Sequence, residues 1–172
     1  IPEKIAGVLN VIQTVAVNMM RPVARYFDEN EHEIPWDYIN FMHTATKAMG
    51  GGGTSMAAGD RKSEGPRVAY QRLACMVEGL SWGDAGLYLC MPGGMLGSAA
   101  VAAAGTDEQK ERFLKRFKGD TPVFDAMCMT ESQAGSDTSA IRATAVLDKN
   151  TNEWVLNGEK IFVTAGHKAL LD

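Results

Sequence analysis

The sequence is poor in the residues that staple small folds or gather around metals. Its three cysteines, Cys75, Cys90 and Cys128, are odd in number and show no C-x-x-C spacing. That argues against a disulfide framework or a zinc site, and for reduced thiols packed as small core residues. The three histidines, His32, His43 and His167, share no metal-ligand spacing and read as surface or satisfied core. Every apolar run is interrupted by charge before it reaches the length of a bilayer span. No basic run offsets the net charge of −4, which argues against a nucleic-acid surface. A charged-then-apolar leader is also missing, although the chain opens on Ile1 rather than methionine, which fits a processed or trimmed start.

What is present is a globular composition. The 172 residues are enough for a domain with a real core, and 45% are hydrophobic against 22% charged. The ten methionines read as adaptable core filling. Ile5, Val8, Leu9, Ile12, Val15, Ala16 and Met19 recur at three-and-four spacing, one face of an amphipathic helix from Glu3 to Met20 that Pro22 should kink or end. Pro35 suits the first turn of a second helix carrying Trp36, Ile39, Phe41 and Met42. The run Gly50–Gly53 has no following Lys-Ser or Lys-Thr and no strand before it, so a loop continuing to Gly65 is expected rather than a phosphate-binding loop. Pro66 opens a third helix with Val68, Ala69, Leu73, Met76, Val77 and Leu80 on one side. Gly83–Cys90 and Gly93–Ala104 read as closely packed buried helices. Thr106 and Gln109 form a capping box for a helix over Asp107–Phe117, supported by Glu108–Arg112 and Glu111–Lys115 pairs and closed by Gly119.

Beyond Pro122 the period shortens. Ala126–Thr130 and Ala143–Leu147 look like strands, and Glu153–Leu156 with Lys160–Thr164 alternates about Asn157-Gly158, a hairpin signature. The expected fold class is therefore α+β: an all-helical N-terminal domain over 1–122, then the beginning of an antiparallel β-domain over 123–172. A hairpin and one further strand make a poor independent domain, so the chain reads as a fragment or as one piece of a larger assembly.

Chemistry concentrates in Met127-Cys-Met-Thr-Glu-Ser-Gln-Ala-Gly-Ser-Asp137, where a strand-like run opens into a small loop. Backbone N–H groups left unpaired in such a loop can hold an anion or a polar ring edge. Asn157-Gly-Glu-Lys-Ile-Phe-Val-Thr-Ala-Gly166 follows. Taken singly, Thr130 and Thr164 are ordinary strand residues and Phe162 an ordinary core residue. Asp137 reads as a turn-former bonding its own backbone, and Glu131, at a strand end, as structural rather than a base.

Together the two stretches resemble the flavin-binding middle of the acyl-CoA dehydrogenase family, which carries a T-E-P-x-A-G-S-D loop and then an N-G-x-K-x-W-[IV]-T strand. Val77-Glu-Gly-Leu-Ser-Trp-Gly-Asp-Ala85 and Gly105-Thr-Asp-Glu-Gln-Lys110 extend the resemblance, which runs in order and spacing from about 66 to 168. It implies FAD as cofactor and α,β-dehydrogenation of an acyl-CoA thioester to the trans-2-enoyl-CoA. The implied cofactor contacts are Met127, Met129, Thr130, Gly135, Ser136, Phe162, Val163 and Thr164, with Ser136 also touching the substrate's CoA portion. No catalytic residue is assigned, since the family's glutamate base usually lies in a C-terminal helical domain. The resemblance further implies an electron-transferring flavoprotein as electron acceptor, a homo-oligomer (dimer or tetramer), a place in fatty-acid metabolism, and a bacterial cytoplasmic or mitochondrial matrix setting.

Departures are Ser132 for the family's proline, Phe162 for its tryptophan, Met127 where an aromatic or small residue is common, and Gly79 for a glutamate. The last costs a helix about 1 kcal/mol. Two alternatives stay open: a non-catalytic or degenerate flavin- or acyl-CoA-binding subunit, and an acyl-CoA oxidase or flavin monooxygenase of the same superfamily.

Overall fold

The computed structural model describes residues 3–48, 66–93 and 96–169, in two compact units, Ile1–Phe124 and Asp125–Asp172. The stretch Gly50–Gly65 lies outside the described residues.

The first unit is helical. Helix α1 (Glu3–Val15) runs into a π-helical turn (Ala16–Met20) and then α2 (Arg21–Glu29). Of the two outcomes expected at Pro22, the helix does not end there; its regular α-helical course is instead interrupted by the π-helical turn just before it. In a straight α-helix its ring would clash with the carbonyl four residues back. Here the turn widens, the Arg21 N–H reaches the Ala16 carbonyl, and Pro22 falls in the first turn of α2, where its missing N–H leaves nothing unpaired. Helix α3 (Trp36–Ala48) starts after Pro35 as its sequence indicates.

Helix α4 spans Pro66–Leu89 but is interrupted at Asp84, whose backbone is extended (φ −172°, ψ 124°). The Asp84 carboxylate accepts the Leu87 N–H at 2.7 Å and so caps the final turn. Helix α5 (Gly97–Ala104) departs from expectation: Ser98 is buried, but Ala99, Ala100, Ala102, Ala103 and Ala104 are exposed. A run of alanines carries no apolar stripe, so its small residues gave no information about direction. Helix α6 (Asp107–Leu114) begins with the anticipated capping box, both halves formed at 3.3 and 2.8 Å. It tightens into a 3₁₀ turn (Lys115–Lys118), and Gly119 follows with an extended backbone rather than the left-handed cap.

The core joins Ile12, Val15, Ala16, Met20, Tyr38, Met42, Met76, Leu80, Leu87 and Met91. Met20, Met42, Met76 and Met91 fill it as expected, whereas Met129 is exposed. Cys75 and Cys90 are half-buried, whereas Cys128 is exposed and is not a core residue. Glycine lets α1 and α4 approach. A Cβ on Gly79 would lie 2.7 Å from Ile12 Cγ2, and one on Gly83 would lie 2.9 Å from both Ala16 Cβ and Met20 Sδ. Gly79, costly to the isolated helix, thus has its account in packing.

The second unit holds one antiparallel hairpin, β1 (Thr144–Asp148) with β2 (Glu153–Asn157), pairing Val146 with Val155 and Leu147 with Trp154. The predicted hairpin about Asn157-Gly158 is not formed. The turn is instead the four residues between the strands, where Asp148 Oδ1 accepts the Asn150 N–H at 2.8 Å and Asn152 takes the left-handed conformation. Gly158 has φ 141° and lies so close to Ala143 that a Cβ would stand 2.6 Å from that residue's Cβ. The chain then runs on to a short helix α7 (Gly166–Ala169) without a second hairpin. Residues 126–130 likewise lie outside any strand, contrary to the strand expected over Ala126–Thr130. Among the described residues, no helix is long and apolar enough to cross a membrane.

Two glycine substitutions should move stability in opposite directions. Gly83→Ala forces a methyl against the Ala16 backbone, 3.1 Å away at Cα, and should lose about 1–2 kcal/mol once overpacking is set against better helix propensity. Gly7→Ala meets nothing within 4 Å and should gain about 0.5–1 kcal/mol. Urea denaturation of both variants checks the pair.

Candidate functional site

The second unit brings the two sequence stretches together through one buried carboxylate. Glu131 is 5% exposed and accepts four hydrogen bonds. Lys160 Nζ at 2.7 Å and the Ala143 N–H at 3.0 Å bind Oε1, while the Arg142 N–H at 2.8 Å and Gln133 Nε2 at 2.6 Å bind Oε2. Two donors on each oxygen use the full acceptor capacity of a carboxylate. The Lys160 hydrogen bond, then the Arg142 N–H, outweigh desolvation and hold its pKa at about 2, well below the usual value. Glu131 is thus a fixed anion with its lone pairs engaged, which does not suit a group that must collect a proton.

Local sequence explains how Glu131 reaches this place. Residues 131–134 close a tight turn through reciprocal backbone bonds, Glu131 N–H to the Ala134 carbonyl (3.0 Å) and Ala134 N–H to the Glu131 carbonyl (3.1 Å). Ser132 occupies the position where proline would preset φ, and the reciprocal pair holds the turn without it. Asp137 caps the next 3₁₀ turn (Thr138–Ala140), accepting from the Ser139 N–H at 3.1 Å, as its sequence context indicates. The chain is thereby returned so that the Arg142 and Ala143 amides face the carboxylate.

Lys160 then ties down the second stretch. Its ammonium donates to the Met129 carbonyl at 2.8 Å as well as to Glu131, and the neighbouring Ile161 N–H donates to the Thr130 carbonyl at 2.9 Å. Met129 and Thr130 therefore have both carbonyls occupied. Among the described residues no hydrogen bond takes up their N–H groups or the Thr130 hydroxyl. That leaves two backbone N–H groups and one hydroxyl at residues 129–130 without a partner among the described residues.

The other residues picked out from sequence are dispersed along the surface of the same unit. Met127 and Val163 are half-buried; Gly135, Ser136 and Thr164 are exposed. A Cβ on Gly135 would meet nothing within 4 Å. Phe162 is 88% exposed and takes a left-handed backbone, φ 56°, uncommon for an aromatic residue. No hydrogen bond among the described residues joins Phe162, Val163 or Thr164 to Thr130. Glu131 and Lys160, which organise the unit, were absent from the sequence-derived site set. The available signal was a lone carboxylate in a run of small and apolar residues, with a lysine in the second stretch to answer it. No group of three or more His, Cys, Asp and Glu residues among the described residues is placed to hold a metal ion.

Comparison with known proteins matches both units. The family description "Acyl-CoA dehydrogenase, N-terminal domain" covers residues 5–119, and "Acyl-CoA dehydrogenase, middle domain" covers 126–171. The chain belongs to the acyl-CoA dehydrogenase family. It is 33% identical over 148 residues to a probable medium-chain specific acyl-CoA dehydrogenase 2, mitochondrial, of Caenorhabditis briggsae, covering 86% of this chain and 34% of that protein. It is 45% identical over 76 residues to an acryloyl-CoA reductase (NADH) of Anaerotignum propionicum, covering 44% of this chain and 19% of that one. A chain from the solved structure of the electron transferring flavoprotein of Acidaminococcus fermentans matches with a TM-score of 0.69 at 27% identity, over 98% of this chain and 42% of that one. The chain thus spans about a third of the length of the first of these relatives.

The carboxylate's pKa gives a pH test. Because the folded value is below the ordinary 4.5, Glu131 stabilises the folded second unit above pH 4.5, and that contribution is lost as pH falls from about 4.5 through about 2. Amide NMR of Arg142 and Ala143 should show both signals shifting with an apparent pKa near 2. In Glu131→Gln this titration should be absent from both amides.

Proposed function

We propose that this chain supplies the flavin seat of an FAD-dependent enzyme that interconverts an acyl-CoA thioester and its α,β-unsaturated counterpart. The observation that carries the reading is the set of unpartnered donors at Met129 and Thr130, on a backbone whose carbonyls are engaged by the 160–161 stretch. This donor set fits the pyrimidine edge of an isoalloxazine, whose acceptors match backbone N–H groups and a threonine hydroxyl.

Bound FAD would supply the acceptor for the hydride removed from the substrate's β-carbon. The protein's share is positioning and electrostatics. Fixed N–H donors at Met129 and Thr130 favour negative charge at the ring edge without needing to reorient. Met127 continues that run. Gly135 and Ser136, exposed on a loop with no obstruction at Gly135, suit contact with the cofactor pyrophosphate and, at Ser136, with CoA. Phe162 offers an apolar ring to the cofactor's face, with Val163 and Thr164 beside it. Residue 131 is excluded as the base by its saturated hydrogen bonding, which agrees with a base elsewhere in the full-length protein.

The same reading brings a domain boundary near 122, an electron-transferring flavoprotein as redox partner, a homo-oligomer and an intracellular setting. The similarity to a chain from an electron transferring flavoprotein structure supports the choice of partner. A second reading, enoyl-CoA reduction with electrons from a nicotinamide, is favoured by the resemblance to an acryloyl-CoA reductase (NADH).

An absorbance titration of the full-length protein with FAD checks the seat. Flavin uptake followed by bleaching with saturated acyl-CoA thioesters is the expected result. Bleaching by NADH and recovery on adding an enoyl-CoA would select the reductive direction. A folded full-length protein that takes up no FAD would overturn both.

A further inference from the structure

We propose that Glu131 and Lys160 are positioning residues of the flavin seat, a charge-balanced clamp that sets both the affinity for FAD and its reduction potential. The inference rests on the flavin reading above and adds to it two residues that do not themselves touch the cofactor in that reading.

Geometry carries the proposal. One ammonium bridges the Met129 carbonyl and Glu131, and the adjacent Ile161 N–H holds the Thr130 carbonyl, so the backbone that carries these donors is held by one dipeptide. Glu131 in turn holds the 142–143 amides and the Gln133 side chain, so three separate stretches of the unit converge on it. The Lys160 side chain is 23% exposed and that of Glu131 5% exposed, so solvent screens the pair only weakly. Together they contribute no net charge beside the seat. Removing one member leaves the other uncompensated next to Thr130, and the sign of the residual charge depends on which one is lost.

That asymmetry separates an electrostatic clamp from a simple scaffold. Glu131→Gln leaves a cation, which should stabilise the reduced, more negative flavin and raise its potential. Lys160→Met leaves a carboxylate, which should lower it. Both should bind FAD about 10- to 100-fold more weakly, the loss expected when charge-assisted hydrogen bonds go. Lys160→Arg keeps the charge and should restore the potential. The experiment uses the full-length protein, with FAD affinity from fluorescence quenching, potential from a dye-coupled reductive titration, and folding from circular dichroism.

Opposite shifts with the arginine rescue support the proposal. Folded variants with unchanged affinity and potential overturn it, as do variants whose potentials move in the same direction or not at all. If Glu131→Gln does not fold, Lys160→Met decides alone, since Glu131 keeps three other donors: weaker FAD binding with a lowered potential supports the clamp, and wild-type values overturn it. A wild-type protein that binds no FAD overturns the underlying flavin reading as well, which distinguishes that failure from failure of the clamp.

Discussion

The second unit is organised around one ion pair, Glu131 with Lys160. A two-stranded hairpin has little stability by itself, and here Val146, Trp154 and Leu156 are all more than half exposed. The hairpin thus buries little apolar surface within the unit. The carboxylate of Glu131 collects donors from residues 133, 142, 143 and 160. A buried charge is tolerated only when it is paired and its lone pairs are satisfied. Each of these donors is consequently constrained in place.

The first unit is governed by a different constraint, the closeness of two helices. Gly79 and Gly83 are four residues apart on α4, on one face, and allow Ile12, Ala16 and Met20 to enter where side chains would otherwise stand. Ala16 and Met20 are fully buried and belong to the π-helical turn that accommodates Pro22. A proline that would strain a regular helix is thus compatible with continuous helical backbone through a fully buried part of the unit. Buried methionines fill the remaining irregular space, a use to which their flexible side chains are suited.

Membership of the acyl-CoA dehydrogenase family joins these two descriptions, because the matches to its N-terminal and middle domains fall on the first and second units in turn. The relatives differ in the direction of their named reactions, one a dehydrogenase and one a reductase. The proposed flavin seat would serve either direction.

Sequence by itself determined the elements with strong local signals. The three-and-four spacing from Ile5 to Met19, Pro35 before α3, and the Thr106–Gln109 capping box all act within a turn or two of helix, so neighbouring residues suffice to specify them. Asp137 as a turn-former was legible for the same reason. Other features were decided only by contacts distant in sequence. Asn157-Gly158 carries a hairpin signature, yet Ala143 packs against Gly158 and Thr130 takes the Ile161 N–H, so the chain follows those partners instead. The alanines of α5 gave no direction, and the value of Gly79 appeared only with Ile12 beside it. Glu131 shows the limit most plainly. Its type and place were visible, but its role depends on Arg142, Ala143 and Lys160, which only the tertiary fold brings within hydrogen-bond distance.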